Sequence, residues 1–218
     1  MSGIRVTYTG LISLSGGIAA VMASSIFTVL ITRKLLPEEY GAWGVISGVI
    51  IYVVFIGTIT SFWTTREISR GRYVGKTQLM GTSILSIVAI IAYLFISFFL
   101  GYQTEIKIEY LLLASFLIPT SLFVGALQAI NLGKRPQAIS YGNLAFGISQ
   151  IPNALIFVYL FDMSVTGIIL SVIISQIISI IVLLILAKPY LRGAFQYNIL
   201  KKWFKLSWIP LYPSIATF

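Results

Sequence analysis

The sequence predicts an all-α integral membrane protein, in which six transmembrane helices form one lobe and the start of a seventh helix follows. Two features of the composition lead to this fold class: 58% of the residues are hydrophobic and only 10% are charged. The third observation is that the apolar residues gather into long runs. A bilayer core about 30 Å thick needs about 20 apolar residues in helical form, because the backbone must satisfy its own hydrogen bonds there.

Six runs of the sequence reach that length. In chain order they are Leu11–Thr32, Gly41–Trp63, Leu79–Gly101, Tyr110–Leu132, Ala138–Phe161 and Val165–Ala187. A further run begins near Leu206 and is too short to cross the core. The sequence therefore divides into a six-span lobe at 1–187, a basic linker at 188–205 and the truncated start of a seventh span at 206–218.

The linker at 188–205 is expected to form an amphipathic helix. Its polar side carries Asn198, Lys201, Lys202 and Lys205, and apolar residues occupy the other side. A helix of this kind typically lies in the plane of the membrane surface. We expect it to rest on the inner leaflet and to lead into the seventh span.

Lys and Arg concentrate on one side of the predicted spans. With the amino terminus in the cytoplasm, twelve of the 15 basic residues fall in inner segments, and five of the six acidic residues fall in outer ones. Basic residues near span ends favour the cytoplasmic side, so we predict a multi-pass protein of the cytoplasmic (plasma) membrane with its amino terminus inside. The net charge of +9 is expected to meet membrane lipids or an anionic substrate, and not nucleic acid.

The residue types present argue against catalysis. The chain contains no Cys and no His, which removes thiolate nucleophiles and the commonest metal ligands. The predicted loops are too short for a soluble catalytic domain, and no charged residue falls in the middle of a span, where proton relays and ion sites usually need one. We therefore predict a protein that is not an enzyme and that has no cofactor and no metal site.

Two kinds of residue inside the spans predict helix contacts and irregularities. Small residues recur every four positions in the first span, from Gly16 to Thr28, and three serines do so in the sixth, which is typical of closely packed membrane helices. Pro119 and Pro152 lie near the middles of the fourth and fifth spans, where each removes a helical hydrogen bond. Such interruptions in transporters often face a central cavity.

Amide side chains mark a candidate cavity. Asn143 and Gln150 share one face of the fifth span and Asn153 lies at its margin, while Gln128 and Asn131 lie near the end of the fourth. Amides are poor lipid-facing groups, so this face is expected to meet either water or another helix. We take these five residues as candidates to line a cavity.

Four short stretches resemble a known transporter family. They are 32–41 (TRKLLPEEYG), 65–70 (TREISR), 127–135 (LQAINLGKR) and 206–211 (LSWIPL). The first two resemble the amino-terminal signature of the polysaccharide (O-antigen type) flippases, which belong to the multidrug, oligosaccharidyl-lipid and polysaccharide exporter superfamily. The resemblance covers essentially the whole chain and corresponds to the amino-terminal half of a family member.

The resemblance implies a function and two partners. The function is export, by flipping across the cytoplasmic membrane, of lipid-linked oligosaccharide or polysaccharide precursors. The substrate partner is a polyprenyl-diphosphate-linked saccharide. The protein partner is a second lobe, either a missing carboxy-terminal lobe or a second half-transporter, which would complete a central cavity open alternately to each side.

The diphosphate of such a substrate needs cations. Arg66 and Arg70 at the inner end of the second span, and Lys134 and Arg135 at the inner end of the fourth, are the headgroup candidates, and Arg33 on the outer side is a candidate release site. Each of the four inner residues could instead be a topological anchor, because the positive-inside rule alone explains its position.

Two other functions remain open from the sequence. A half of a drug or cation exporter of the same superfamily would be expected to hold an acidic residue inside the lobe. A non-transporting membrane scaffold or subunit would need no binding site at all.

Overall fold

The computed structural model describes residues 6–104 and 106–207, and these residues are almost entirely helical, with no strand among them. The α-helices are α1 (Val6–Lys34), α2 (Pro37–Val54), α3 (Thr58–Ser69), α4 (Gly75–Gln103), α5 (Ile108–Ala114), α6 (Leu117–Leu132), α7 (Gln137–Ala154), α8 (Ser164–Ala187) and α9 (Tyr197–Lys205). Short 3₁₀ or π segments join α2 to α3, extend α7 and follow α8.

Six helical stretches among the described residues are long and apolar enough to cross a membrane. They are Gly10–Lys34, Pro37–Ser69, Gly75–Gln103, Ile108–Leu132, Gln137–Leu160 and Ser164–Leu191. Each contains the greater part of one predicted run, which confirms six spans by length and composition. The predicted seventh span at 206–218 lies almost wholly outside the described residues, and the orientation of the amino terminus stays a prediction.

The helices pack in an order that differs from their order in the chain. Helix α1 packs mainly against α7, α7 packs against α8, and α8 packs against α6, which in turn contacts α3 and α4. Helix α2 lies against α4, α6 and α8. Because α1 reaches the bundle chiefly through α7, it stands at the edge of the lobe, away from α3.

The two ends of the bundle differ in charge. At one end α3, α6 and α8 finish and α4 and α7 begin, and we call it the basic end because Arg70, Lys76, Lys134 and the linker lie there. We call the other the acidic end, where α1 and α4 finish and α2, α5 and α8 begin. The acidic end carries Glu38, Glu39, Glu109 and Asp162.

Three of the spans are interrupted. The fourth breaks at Ser115 and Phe116, where Ile118 N–H bonds the Ser115 carbonyl at 3.2 Å in place of the missing N–H of Pro119. The fifth changes to a π segment at Leu155–Leu160, shortly after Pro152. Both irregularities confirm the expectation from the two prolines. The third break, a 3₁₀ turn at Phe55–Gly57, has no proline and is not predicted from the sequence.

The small residues form helix contacts, as predicted. A Cβ on Gly16 would lie 2.8 Å from Ser140 Cβ, and one on Gly147 would lie 3.1 Å from Ala23 Cβ, so α1 and α7 touch through their smallest residues. Between α8 and α7, Ser179 Oγ donates to the Gly142 carbonyl at 2.9 Å.

The linker contains a shorter helix than expected. Residues Lys188–Leu191 form a 3₁₀ turn and only Tyr197–Lys205 are α-helical. Leu200 and Trp203 on the apolar side of α9 are buried against the bundle, because α9 packs on α3 and α4. The predicted amphipathic character is present, but protein covers the apolar side at Leu200 and Trp203. The position on the inner leaflet stays a prediction.

Candidate functional site

A cavity of about 560 Å³ lies between α3 and α6 toward the basic end. The residues of α3 that line it are Thr58, Ser61, Phe62, Thr65 and Arg66, and those of α6 and α7 are Gly125, Gln128, Ala129, Leu132 and Ile139. A smaller cavity of about 400 Å³ shares Thr58, Ser61 and Gly125 and continues toward Ile51 and Val54 of α2. The lining is mostly apolar, with a row of hydroxyl groups along α3.

A separate cavity of about 450 Å³ lies between α1 and α7. Its polar lining comes from Ser24, Ser25 and Thr28 of α1 and from Asn143 of α7. The small-residue stripe of α1 therefore does two things: Gly16 contacts α7, while Ser24 and Thr28 line open space.

A hydrogen bond between two of the predicted amides stands between the cavities. Gln128 Nε2 donates to Asn143 Oδ1 at 2.9 Å, and both side chains are only partly buried. Gln128 lines the first cavity and Asn143 lines the second. The 560 Å³ cavity, the 450 Å³ cavity and this amide pair together are called the groove below. The amide pair supplies its polar floor.

The hydroxyl groups of α3 follow one face of the helix. Thr58, Ser61 and Thr65 are spaced three or four residues apart, so they lie in one row. Thr58 Oγ1 donates to the Phe55 carbonyl at 2.9 Å and Thr65 Oγ1 donates to the Ala129 carbonyl at 3.1 Å. With these protons used internally, the oxygen lone pairs remain for a ligand that donates hydrogen bonds.

Arg66 stands at the end of this hydroxyl row. Its guanidinium carbon lies 5.4 Å from the ring centroid of Phe62 and 5.9 Å from that of Trp63, which is cation–π geometry. The acidic residue nearest in the chain, Glu67, is instead bonded to Arg72 at 2.8 Å. No described carboxylate forms an ion pair with Arg66, so its charge is available to an anionic ligand.

The ends of α3 and α6 lie side by side. Ser69 Oγ donates to the Gly133 carbonyl at 3.2 Å, and Lys134 Nζ donates to the Ser69 carbonyl at 3.3 Å. The structure thus brings Arg66 and Arg70 to the same adjoining helix ends as Lys134 and Arg135, as the sequence predicts. All four side chains are exposed, and Arg66 is the one that lines the groove.

Three of the predicted amides lie between helices. Asn131 is fully buried, and its amide nitrogen donates to the Leu183 carbonyl of α8 at 3.1 Å. Asn153 Nδ2 donates to Ser175 Oγ, also of α8, at 3.0 Å, and Gln150 is buried as well. None of these three residues lines either cavity of the groove. The sequence left open whether they meet water or another helix, and they meet another helix. Arg33 is exposed at the acidic end, in the last turn of α1.

At the acidic end, contacts between helices hold the bundle together. Lys34 Nζ pairs with Asp162 Oδ1 at 2.8 Å, and Tyr159 OH donates to the Leu30 carbonyl at 2.8 Å. Ser164 Oγ also donates to Glu39 Oε1. These contacts join the end of α1 to the segment after α7, and the start of α2 to α8.

The hydroxyl row of α3 is the part of the groove that the sequence reading missed. Its signal is present, because Thr58, Ser61 and Thr65 lie in an apolar run at helical spacing and on the same side as Arg66. The difficulty is that Thr60 and Thr64 of the same run look equally suitable, and they face the other way. Both are buried and bond to Gln78 of α4.

The described residues contain no group of three or more His, Cys, Asp or Glu side chains that could hold a metal ion. No family model, curated protein or solved structure matches this chain. The groove, its amide floor and its arginine are therefore the features that a function has to explain.

Proposed function

We propose that this chain is one lobe of an exporter that flips lipid-linked oligosaccharide or polysaccharide precursors across the cytoplasmic membrane. The observation that supports it best is a groove within the membrane spans that combines apolar walls, a polar floor and one arginine without a carboxylate partner. A polyprenyl-diphosphate-linked saccharide has an apolar chain, an anionic diphosphate and a polar glycan. Each of these three parts finds a matching surface in the groove.

Arg66 is the residue that we assign to the diphosphate. A guanidinium group can donate two parallel hydrogen bonds to a phosphate, and such charge-assisted bonds are stronger than neutral ones. Phe62 and Trp63 lie beside its guanidinium, so less side-chain freedom is lost when the ligand binds. Arg70, Lys134 and Arg135 would add long-range attraction around the same mouth.

The groove needs a second wall. Helix α1 stands at one edge and α3 at the other, and both cavities are open. We propose that a second lobe, either a carboxy-terminal lobe of a longer chain or another half-transporter, covers this face. The mouth beside Arg66 would then face the cytoplasm, in line with the predicted orientation, and the acidic end would face outward.

The lining of the groove favours an anionic ligand over a cationic one. No acidic side chain is found among the residues that line its two cavities. A drug or cation exporter of the same superfamily would need a negative charge at this place. A scaffold, in contrast, would bind neither kind of ligand.

Ligand binding tests the proposal directly. A fluorescent short-chain polyprenyl-diphosphate sugar is titrated into the purified chain in detergent, for the wild type and for Arg66→Lys. Lysine keeps the charge but cannot form the bidentate contact, so we expect affinity to fall at least about tenfold. Arg72→Lys is the matched control at the same end, because Arg72 is already paired with Glu67, and it should bind like the wild type.

Two outcomes would decide against the proposal. Equal affinity of Arg66→Lys and the wild type would leave Arg66 as a topological anchor. Wild-type binding no stronger than that of the corresponding uncharged polyprenol would show that the groove does not recognise the headgroup.

A further inference from the structure

The segment after the sixth span is fastened to the bundle along its length. The backbone N–H of Gln196 donates to Thr77 Oγ1 at 3.0 Å. Gly193 lies so close to the Tyr73 carbonyl oxygen that there is no room for a Cβ. Further along, Trp203 of α9 is only 2% exposed. The apolar side of α9 is therefore occupied by protein contacts, and the position of the helix is fixed.

Helix α9 lies beside the bundle and not below its end. Leu200 packs onto Gly81 of α4, where a Cβ would be 2.7 Å from Leu200 Cδ1. Gly81 is about 9 Å along the helix axis from Gly75, the first residue of α4. With 29 residues, α4 is about 43 Å long and extends about 7 Å beyond a 30 Å core at each end. By these lengths Gly81 lies about 2 Å inside the edge of the core, so α9 lies at the boundary between the core and the lipid headgroups, which its lysine side chains can reach.

The side of α9 that faces away from the bundle is basic. Lys201, Lys202 and Lys205 are exposed on it, opposite Leu200 and Trp203. None of the three forms an ion pair within the described residues. We call these three side chains the lysine face. It is a cluster of uncompensated positive charge held at a fixed depth.

We propose that the lysine face is a binding site for the headgroups of anionic phospholipids in the adjoining leaflet. Basic clusters on amphipathic helices next to membrane spans attract anionic lipids. A ligand that binds only the folded state raises the melting temperature. Because α9 packs on α3, which also carries Arg66, a bound lipid would stabilise one wall of the groove. The site is separate from the groove, so it does not depend on the proposed export function.

The test compares melting temperatures of the purified chain in mild detergent. Phosphatidylglycerol or phosphatidylcholine is added, and unfolding is followed by tryptophan fluorescence. Phosphatidylglycerol should raise the Tm of the wild type by at least about 3 °C, and phosphatidylcholine should not. The triple variant Lys201→Gln, Lys202→Gln, Lys205→Gln should lose that difference between the two lipids.

Two controls separate charge from folding. The triple variant with Arg at the same three positions keeps the charges, and we expect it to keep the lipid effect. Lys107→Gln removes an exposed charge from the acidic end and should also leave the effect unchanged. Loss of the lipid effect in both triple variants would mean that the helix has been undocked, which would overturn the headgroup assignment.

Other results would also overturn it. Equal stabilisation of the wild type and of the triple Gln variant would place the lipid elsewhere. Stabilisation by inorganic phosphate as large as that by phosphatidylglycerol would mean a general anion effect. A larger Tm increase with soluble polyglutamate than with lipid would indicate an acidic protein partner.

Discussion

Helix α3 has two polar faces, and their environments differ. On one face Thr60 and Thr64 are fully buried and bond to Gln78 of α4, at 3.2 and 2.7 Å. On the other face Thr58 and Ser61 line the groove and are only partly buried. Satisfied buried networks hold helices together in a membrane, whereas open hydroxyl groups are available to a ligand. The same residue type thus serves stability on one face and recognition on the other.

The largest effect on stability is expected from Gln78→Leu. Gln78 accepts from Thr64 and donates to Thr60 and Thr82, so its loss leaves three buried hydroxyl groups with fewer partners. We expect a loss of about 2 kcal/mol and a fall in Tm of roughly 4 to 8 °C, measured by thermal unfolding in detergent. Ligand affinity at low temperature should stay close to the wild-type value. An unchanged Tm would mean that the network does not hold α3 to α4.

A pair of isosteric substitutions compares the two faces directly. Thr64→Val removes the bond to Gln78 Oε1 from the buried face and should cost about 1 kcal/mol. Thr58→Val removes only a hydroxyl group that bonds within its own span and faces the groove, so the change should stay within about 0.5 kcal/mol. Chemical or thermal unfolding of both variants measures the difference. Equal losses in the free energy of unfolding would mean that the two faces of α3 do not differ in their contribution to stability.

The smallest effect on stability is expected on the floor of the groove. Gln128→Leu removes the bond to Asn143, but Asn143 lines open space and can bond to water instead. Stability should change by less than about 0.5 kcal/mol, while the affinity for the diphosphate sugar should fall about 3- to 10-fold. Asn153→Leu is the contrasting variant, because Asn153 bonds to Ser175 between helices. It should lower the Tm and leave affinity unchanged; the reverse pattern would contradict the assignment of the floor.

Local chemistry explains what could be predicted from the sequence. The spans follow from apolar length, and the irregularities near Pro119 and Pro152 follow from the missing N–H of proline. The 3₁₀ turn at Phe55–Gly57 could not be predicted in this way. It lies where Gly57 makes room for Leu122, since a Cβ there would be 2.7 Å from Leu122 Cδ2. That contact joins residues far apart in the chain.

In the candidate site, too, some features follow from local sequence and others depend on contacts between distant residues. The adjoining positions of Arg66 and Lys134 follow from charge placement and from the antiparallel course of successive spans. The sequence does not tell which amides line the groove and which lie between helices, because water and a neighbouring helix satisfy an amide equally well. Gln128 lies in the groove, and Asn131, one turn away, bonds to a carbonyl of α8. Only the packing of α8 against α6 makes that difference.

The interruptions give the lobe unequal stiffness. Helices α1 and α4 each run for 29 residues without a break. The spans that carry α3 and α6, the two helices that line the first cavity, are broken at Phe55–Gly57, near the middle of its span, and at Ser115–Phe116, toward the acidic end. Where the regular ladder of backbone bonds is already interrupted, little more has to be broken for the segment beyond to tilt. We therefore expect the lining of the first cavity to tilt at its interruptions more easily than α1 and α4 bend, which would change the width of the cavity.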